Sequence, residues 1–398
     1  MLLNAFPYFL LVTILFIIYW FIVPTHIRSR LFLIFSFGLL LYLFPTHTML
    51  ILIISSVVYF AGELIISAKP ICRNTIFVLT ILGTLGFLVY YKYLLFFIQV
   101  IKYVNLSINI HFVFENPVQK IPIGLSFFTF RFIHYLIEVK RGNIKHRGYL
   151  EFLTYTFFFP IVVAGPIERY DRFEQQHQNI NGFKWKYLNY GISRIMLGLF
   201  KKVVIADSLA LFARGLNNPE LDGLSYLIAI YAFTFKIYFD FSGYSDIAIG
   251  TARLFGYRIM ENFNAPYLKR NISLFWKSWH MSLTSWFRDY LFIPLGGSRG
   301  TLGRTIINTL IVMIATGIWH GAAFHFIVWG LYHAVGLIIL RLYNLFIAIH
   351  LSDSFKNSRI ATVISIALTF NFTAFGWIFF ETSVHQSIHI MRVVFHLN

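Results

Sequence analysis

The chain has 398 residues, 58% hydrophobic and 19% aromatic but only 12% charged, with a mean hydropathy of +0.69. Soluble domains carry about a quarter charged residues, so these values exclude a soluble protein and indicate a polytopic membrane protein. The net charge of +17 is no mark of a nucleic-acid binder. Its Lys and Arg fall in short clusters between apolar runs (Arg28/Arg30, Lys69/Arg73, Lys140/Arg141/Lys145/Arg147, Lys184/Lys186, Lys201/Lys202, Lys269/Arg270), the pattern of cytoplasmic loops.

No polar linker divides the sequence, so residues 1–398 read as one membrane domain. The first apolar run, 5–23, is long enough to span a bilayer, and MLLNAF lacks the basic start of a signal peptide. A first transmembrane helix with its N-terminus outside is expected, because Arg28 and Arg30 follow it. Further apolar segments lie at 31–45, 48–67, 75–91 and 93–110, with Pro45 and the PTHT stretch parting the second and third. Residues 1–110 thus read as peripheral, lipid-facing helices. Beyond 120 the runs are interrupted by charges, Gly and Pro: 121–138, 150–166, 189–213, 224–256, 305–321, 324–348 and 359–380. The expected fold class is all-α, with about 10–12 spanning or re-entrant helices at about 20 residues each. The runs are too long and alternate too little for a β-barrel. One cysteine, Cys72, allows no internal disulfide. Chemistry is expected in 120–335, because polar groups at membrane depth face protein or a wet cavity.

In "PIGLSFFTFRFIHYLIEVKRG" (122–142), Arg131, His134 and Glu138 fall within about 60° on a helix at 100° per residue. They share one face, which suits either a buried ion-pair network or a substrate path. In "FFFPIVVAGPIERY" (157–170), Gly165-Pro166 breaks the apolar run, and a buried Glu–Arg pair fixing the loop is expected. In "DFSGYSD" (240–246), Asp240 and Asp246 are separated by about 240° around a helix. They do not form one acid/base dyad, and too few oxygen donors surround them for a metal. In "FWKSWHMSLTSWFRDYLFIPLGGSRG" (275–300), Trp276, Trp279, His280, Leu283, Trp286, Phe287 and Tyr290 recur at helical spacing. That reads as one stripe of an interfacial helix, on which His280 is the unexplained member. The Gly-rich run that ends the segment lacks the GxxxxGK[ST] phosphate-loop pattern.

"GIWHGAAFH" (317–325) places His320 between Trp319 and Gly321 in a strongly apolar segment. His325 and His333, offset by 5 and 13 residues, point about 140° and 220° away from it, so the three cannot converge on a metal. Gly317 and Gly321 are expected to leave open space beside His320. A neutral imidazole in an apolar cavity suits a general base near neutral pH; hydrogen bonding to a carbonyl is the structural alternative.

These motifs resemble the membrane-bound O-acyltransferases, in the bacterial branch that includes alginate O-acetyltransferases and D-alanyl-lipoteichoic-acid transferases. The resemblance runs through "PIGLSFFTF", "YLIEVKRG", "FFFPIVVAGPIERY", "DFSGYSDIAIG", "ENFNAPY", "FWKSWHMSLTSWFRDYLFIPLGG" and "GIWHG", in order from 122 to 335, the expected catalytic core. Residues 1–120 match in hydropathy alone, and 359–380 form a C-terminal helix. The resemblance implies a ring of tilted helices around a thinned centre, crossed by a tunnel with a histidine midway. It assigns that histidine to His320, in its WHG context, and a second polar position about 40 residues earlier to His280. Trp279, Trp319, Asp240, Asp246, Arg131 and Glu138 become candidates for the tunnel wall.

The implied reaction moves an acyl group, acetyl by preference, to hydroxyls of an extracytoplasmic polysaccharide or cell-wall polymer. The implied donor is an acyl-CoA or acyl-carrier-protein thioester from the cytoplasm, with no bound cofactor or metal. His320 takes the acceptor's proton and His280 orients the acceptor or steadies the oxyanion. An acyl-histidine is the lesser alternative. Membrane lipids and an extracytoplasmic transferase or cytoplasmic carrier protein are the implied partners, and the bacterial cytoplasmic membrane the implied location. The length is closer to the D-alanyl transferases, whereas "DFSGYSD" and "LGGSRG" are closer to the alginate type. D-alanyl transfer to teichoic acid is therefore an alternative, and an acyl-group transporter feeding a separate transferase is another. No internal repeat favours the transporter.

Overall fold

A computed structural model describes residues 6–107, 121–145, 148–162, 165–180, 182–356 and 358–396. Among them the regular elements are all helical, with no strand. Among the described residues, seven helical runs are long and apolar enough to cross a membrane. The remaining expected segments form shorter or broken helices. The chain divides into two compact units, 1–196 with 246–260 and 197–245 with 261–398.

Unit 1 opens with α1 (Phe6–Ile17), α2 (Arg28–Leu43), α3 (Pro45–Ser67) and α4 (Pro70–Leu88). Pro45 and Pro70 each occupy the first turn of a helix, where proline's missing N–H has no partner to lose. Sequence patterning parts 75–91 from 93–110, but the structure joins them. A π-helical turn, Val89–Tyr93, carries α4 directly into α5 (Leu94–Ser107). The apparent break was the polar run around Lys92, whose ammonium instead bonds Ser126 Oγ at 3.1 Å. The end of the second segment, 108–110, lies outside the described residues.

After α6 (Leu125–Lys140), the expected run 150–166 is not one helix. It comprises α7 (Tyr149–Thr156) and a separate 3₁₀ turn at Phe159–Ile161, which contains Pro160. Phe157 and Phe158 between them are fully buried. Phe32 stacks on Phe158 at 5.0 Å and meets Phe255 edge-on at 5.1 Å. Segment 255–260 docks on α8 (Tyr170–Asn179): Gln176 Oε1 accepts from Arg258 N at 2.6 Å, and His177 Nδ1 pairs with the Tyr257 hydroxyl at 2.6 Å. The next helix is α9 (Trp185–Leu199). Its Gly191 lies against Gly250, where an added Cβ would come 2.7 Å from a carbonyl oxygen.

In unit 2 follow α10 (Asp207–Ala213), α11 (Gly223–Leu254, of which the residues from Asp246 on belong to unit 1), α12 (Ile272–Trp276), α13 (Met281–Phe287), α14 (Leu302–His320), α15 (Phe324–Phe346), α16 (Asp353–Lys356), α17 (Arg359–Glu381) and α18 (Val384–Phe395). The helix α18 was not among the expected segments, since its 12 residues are too few to span and carry two His and an Arg. Helices α14 and α15 form a tight antiparallel hairpin. Gly317 lies against the Phe326 carbonyl, and Gly330 against the Met313 carbonyl. The core of this unit is aromatic, built on Trp279, Trp329, Trp377, Phe275 and Tyr267. Trp377 donates to the Tyr267 hydroxyl at 3.0 Å, which donates to the Thr234 carbonyl at 2.8 Å.

Candidate active site

His320 is the last residue of α14, not the centre of a membrane helix. The chain turns out of the helix at Gly321 and re-enters one at Phe324. Trp319, Trp329 and Phe380 meet the His320 ring nearly edge-on at 4.8, 5.1 and 5.0 Å. The open space expected at Gly317 and Gly321 is filled. A Cβ at Gly321 would overlap the Phe326 ring, and one at Gly317 the Phe326 carbonyl. These glycines serve close packing of the hairpin, which holds His320 at its bend.

His280 does not lie on a helix stripe. The expected continuous helix over 275–290 stops at Trp276, and His280 caps α13 with φ 42° and ψ 54°. This left-handed backbone is uncommon outside glycine. It swings the chain so that Trp276 and Trp279 enter the core of unit 2 instead of joining Trp286 in an interfacial row. His280 is 2% exposed, and burial pushes its imidazole down to about 3, so the ring stays neutral. Nδ1 has no hydrogen-bond partner within the protein. The ring meets Phe241 at 4.7 Å and Trp319 at 6.0 Å. Trp319 therefore touches both histidines of the sequence-predicted pair.

The other candidates are spread more widely. Trp279 packs among Trp377, Phe263 and Phe275 at 4.7–5.6 Å, deep in the core. Asp240 forms an ion pair with Lys202, and Asp246 pairs with Arg194 at 2.6 Å. In unit 1, Arg131 donates to the carbonyls of Thr156 and Ile161 at 3.0 and 2.9 Å, which satisfies the irregular backbone after α7. Glu138 binds Arg141 and Asn143 at 2.8 and 2.6 Å. His134 Nε2 accepts from the Tyr170 N–H at 3.0 Å. These contacts tie the stripe to neighbouring loop backbone and to Arg141 and Asn143. Buried Glu168 pairs with Arg172, one turn further on, at 3.4 Å and accepts from Met260 N at 2.8 Å. His325 bonds the Phe379 carbonyl at 3.0 Å.

A cavity of about 490 Å³ opens beside the hairpin in unit 2, lined by Trp276, Lys277, Arg288, Thr309, Thr316 and Arg341 among others. Thr316 lies one helical turn before His320. Among the described residues no carboxylate lines this cavity. Arg288 is paired with neighbouring Asp289 at 2.7 Å, whereas the buried Nε of Arg341 has no protein partner. The threonine hydroxyls donate to their own helix, Thr309 to Thr305 O and Thr316 to Val312 O, both at 2.8 Å. The sequence sets Lys277, Thr284 and Arg288 on a face apart from the aromatic stripe, and all three line this cavity; Arg341, from a segment that no linear motif connects to them, was missed.

The model of the membrane-bound O-acyltransferase family matches residues 46–380. The chain belongs to that family. As an MBOAT member it is 39% identical over 269 residues to a probable alginate O-acetylase of Pseudomonas aeruginosa, covering 66% of this chain and 49% of that protein. It is 31% identical to the peptidoglycan O-acetyltransferase of Helicobacter pylori, covering 91% and 73%. It is also 31% identical to the teichoic acid D-alanyltransferase of Bacillus subtilis, covering 65% and 68%. The chain spans about half the length of the alginate O-acetylases it matches. This MBOAT chain carries both expected histidines in one unit, each in ring contact with Trp319.

Proposed function

We propose that this protein is an O-acyltransferase that moves an acetyl group from a thioester to a hydroxyl of an extracytoplasmic polysaccharide or cell-wall polymer. The observation that carries the reading is the contact of both His280 and His320 with Trp319, in the same unit as a cavity lined by Lys277, Arg288 and Arg341. In this mechanism His320 takes the proton from the acceptor hydroxyl, and the oxygen attacks the thioester carbonyl carbon. The neutral His280 ring supplies one N–H to the oxyanion, a role worth about 3–4 kcal/mol where such donors have been removed. Collapse of the tetrahedral intermediate breaks the C–S bond, and the imidazolium returns its proton to the departing thiolate. The products are the O-ester, the free thiol and neutral His320.

Charge favours acetyl over D-alanyl. A D-alanyl donor brings an ammonium group, and the cavity offers cations but, among the described residues, no carboxylate to meet it. Lys277 and Arg341 suit the phosphate of a coenzyme A or phosphopantetheine donor. The donor is taken to enter from the cytoplasm of a bacterium through the inner membrane, with a carrier protein or an extracytoplasmic transferase as partner.

The test is purified His320→Ala in lipid nanodiscs, given acetyl-CoA or a D-alanyl-loaded carrier, with acyl release and polymer esterification read by mass spectrometry. Wild type should transfer the acetyl group to the acceptor hydroxyl, and the variant should lose at least about a hundredfold of that rate. Undiminished transfer by the variant would sink the mechanism. Preference for the D-alanyl carrier would replace the acetyl reading with teichoic acid D-alanylation.

A further inference from the structure

His333, at the middle of α15, takes no part in the proposed chemistry, yet it is a fully buried polar ring. Neither of its nitrogens has a hydrogen-bond partner within the protein, and the same holds for Nε1 of Trp276 and of Trp329. These three rings touch one another. Centroids lie 5.1 Å apart for Trp276 and His333, 5.0 Å for Trp329 and His333, and 5.6 Å for Trp276 and Trp329. Four buried nitrogens in one small cluster are costly unless something bonds them. Their inventory is two indole N–H donors plus, on a neutral imidazole, one donor and one acceptor. A water molecule accepts two hydrogen bonds and donates two, so one water satisfies two of these three N–H donors together with the imidazole acceptor. Bulk is limited. Gly376 of α17 faces the ring, and a Cβ there would come 3.0 Å from His333 Nε2.

The geometry points to a built water site formed by Trp276, Trp329 and His333. The site positions the proposed base, because the Trp329 indole it fixes is the wall that meets the His320 ring edge-on at 5.1 Å. His333 is thus a positioning residue that acts through water and Trp329, an assignment resting on the reading of His320 as the base. A second link points the same way, since Trp276 also lines the cavity that reaches Thr316.

The experiment compares His333→Phe and His333→Gln in detergent-purified, ¹⁵N-Trp-labelled protein. The Trp329 indole N–H signal is assigned by its loss in Trp329→Phe. His333→Phe should move that signal upfield, as expected for a lost hydrogen bond, and lower kcat roughly tenfold with KM within twofold, a small misplacement of the base. His333→Gln, which keeps a donor and an acceptor, should restore most of both. Adding His333→Phe to Trp329→Phe should cost nothing further, because both break one linkage. An unmoved indole signal overturns the water site. A moved signal with unchanged kcat, or losses that multiply in the double variant, overturns the positioning role. If His333→Phe does not accumulate, Trp276→Phe removes one donor of the same site and is read by the Trp329 indole signal and kcat alone, because Trp276 also lines the cavity. Retained transfer in His320→Ala would instead sink the base assignment while leaving the indole result standing.

Discussion

At His280 backbone and side chain are constrained together. Its φ of 42° and ψ of 54° suit Asn far better than a β-branched residue, for which positive φ is a marked strain. His280→Asn should therefore fold, whereas His280→Val should lose about 1–2 kcal/mol in addition to the ring. The buried imidazole also makes a signed pH prediction. Its folded value lies near 3, below the unfolded value of about 6.5. Protons then bind the unfolded chain more tightly, so the native state is fully favoured above about pH 6.5 and loses stability as pH falls below it. Thermal melts at pH 7.5 and 5.0 should differ less in His280→Asn than in wild type; an equal difference would remove His280 from that account. The motif made this residue visible, but the sequence concealed its turn. Aromatic spacing runs unbroken through 276–290, and no Gly or Pro warns that the helix stops at Trp276.

The hairpin of α14 and α15 is the element that delivers His320. Long apolar runs made both helices legible to within a few residues, 305–321 against Leu302–His320 and 324–348 against Phe324–Phe346. The function of their glycines was not legible. A glycine beside a histidine reads equally as free space or as a docking groove, and only the partner helix decides. Here Phe326 fills the groove on one side and Met313 supplies the carbonyl on the other. Gly330→Leu should force the two backbones apart and tilt Trp329 away from His320. It should lower the melting temperature and acyl transfer together. Gly303→Ala on the same α14 is the control, because nothing lies within 4 Å of its new Cβ. That change should be neutral or stabilising by about 0.5–1 kcal/mol. Equal melting temperatures for Gly330→Leu and wild type would show that the hairpin tolerates separation. The π-helical turn at Val89–Tyr93 and the broken segment after α7 escaped the sequence for a related reason. Charged and aromatic residues there are satisfied by distant partners, such as Ser126 for Lys92 and Arg131 for the carbonyls of Thr156 and Ile161.

Across the whole molecule, the composition established a membrane-spanning, all-helical chain because a mean hydropathy of +0.69 leaves few alternatives. The excess of +17 charges reads as topology in most loops, but in unit 2 three of those charges meet on one cavity. Lys277, Arg288 and Arg341 lie 64 residues apart from first to last, so no window of sequence brings them together. Arg288 already has Asp289, which leaves Lys277 and Arg341 as the cations available to a phosphate. If they hold the donor's phosphate, their loss weakens ground-state and transition-state binding alike, and the cost falls on KM. Lys277→Gln and Arg341→Gln should each raise the KM for acetyl-CoA about tenfold, as for the loss of one charge-assisted contact of about 1.5–3 kcal/mol, with kcat within twofold. The KM for the polymer acceptor should not move. Added salt should raise the wild-type donor KM and change that of the double variant little, because screening acts on charges that are present. A donor KM unmoved in both single variants would take the phosphate away from this cavity. A fall in kcat at constant KM would place these cations at the reacting centre instead.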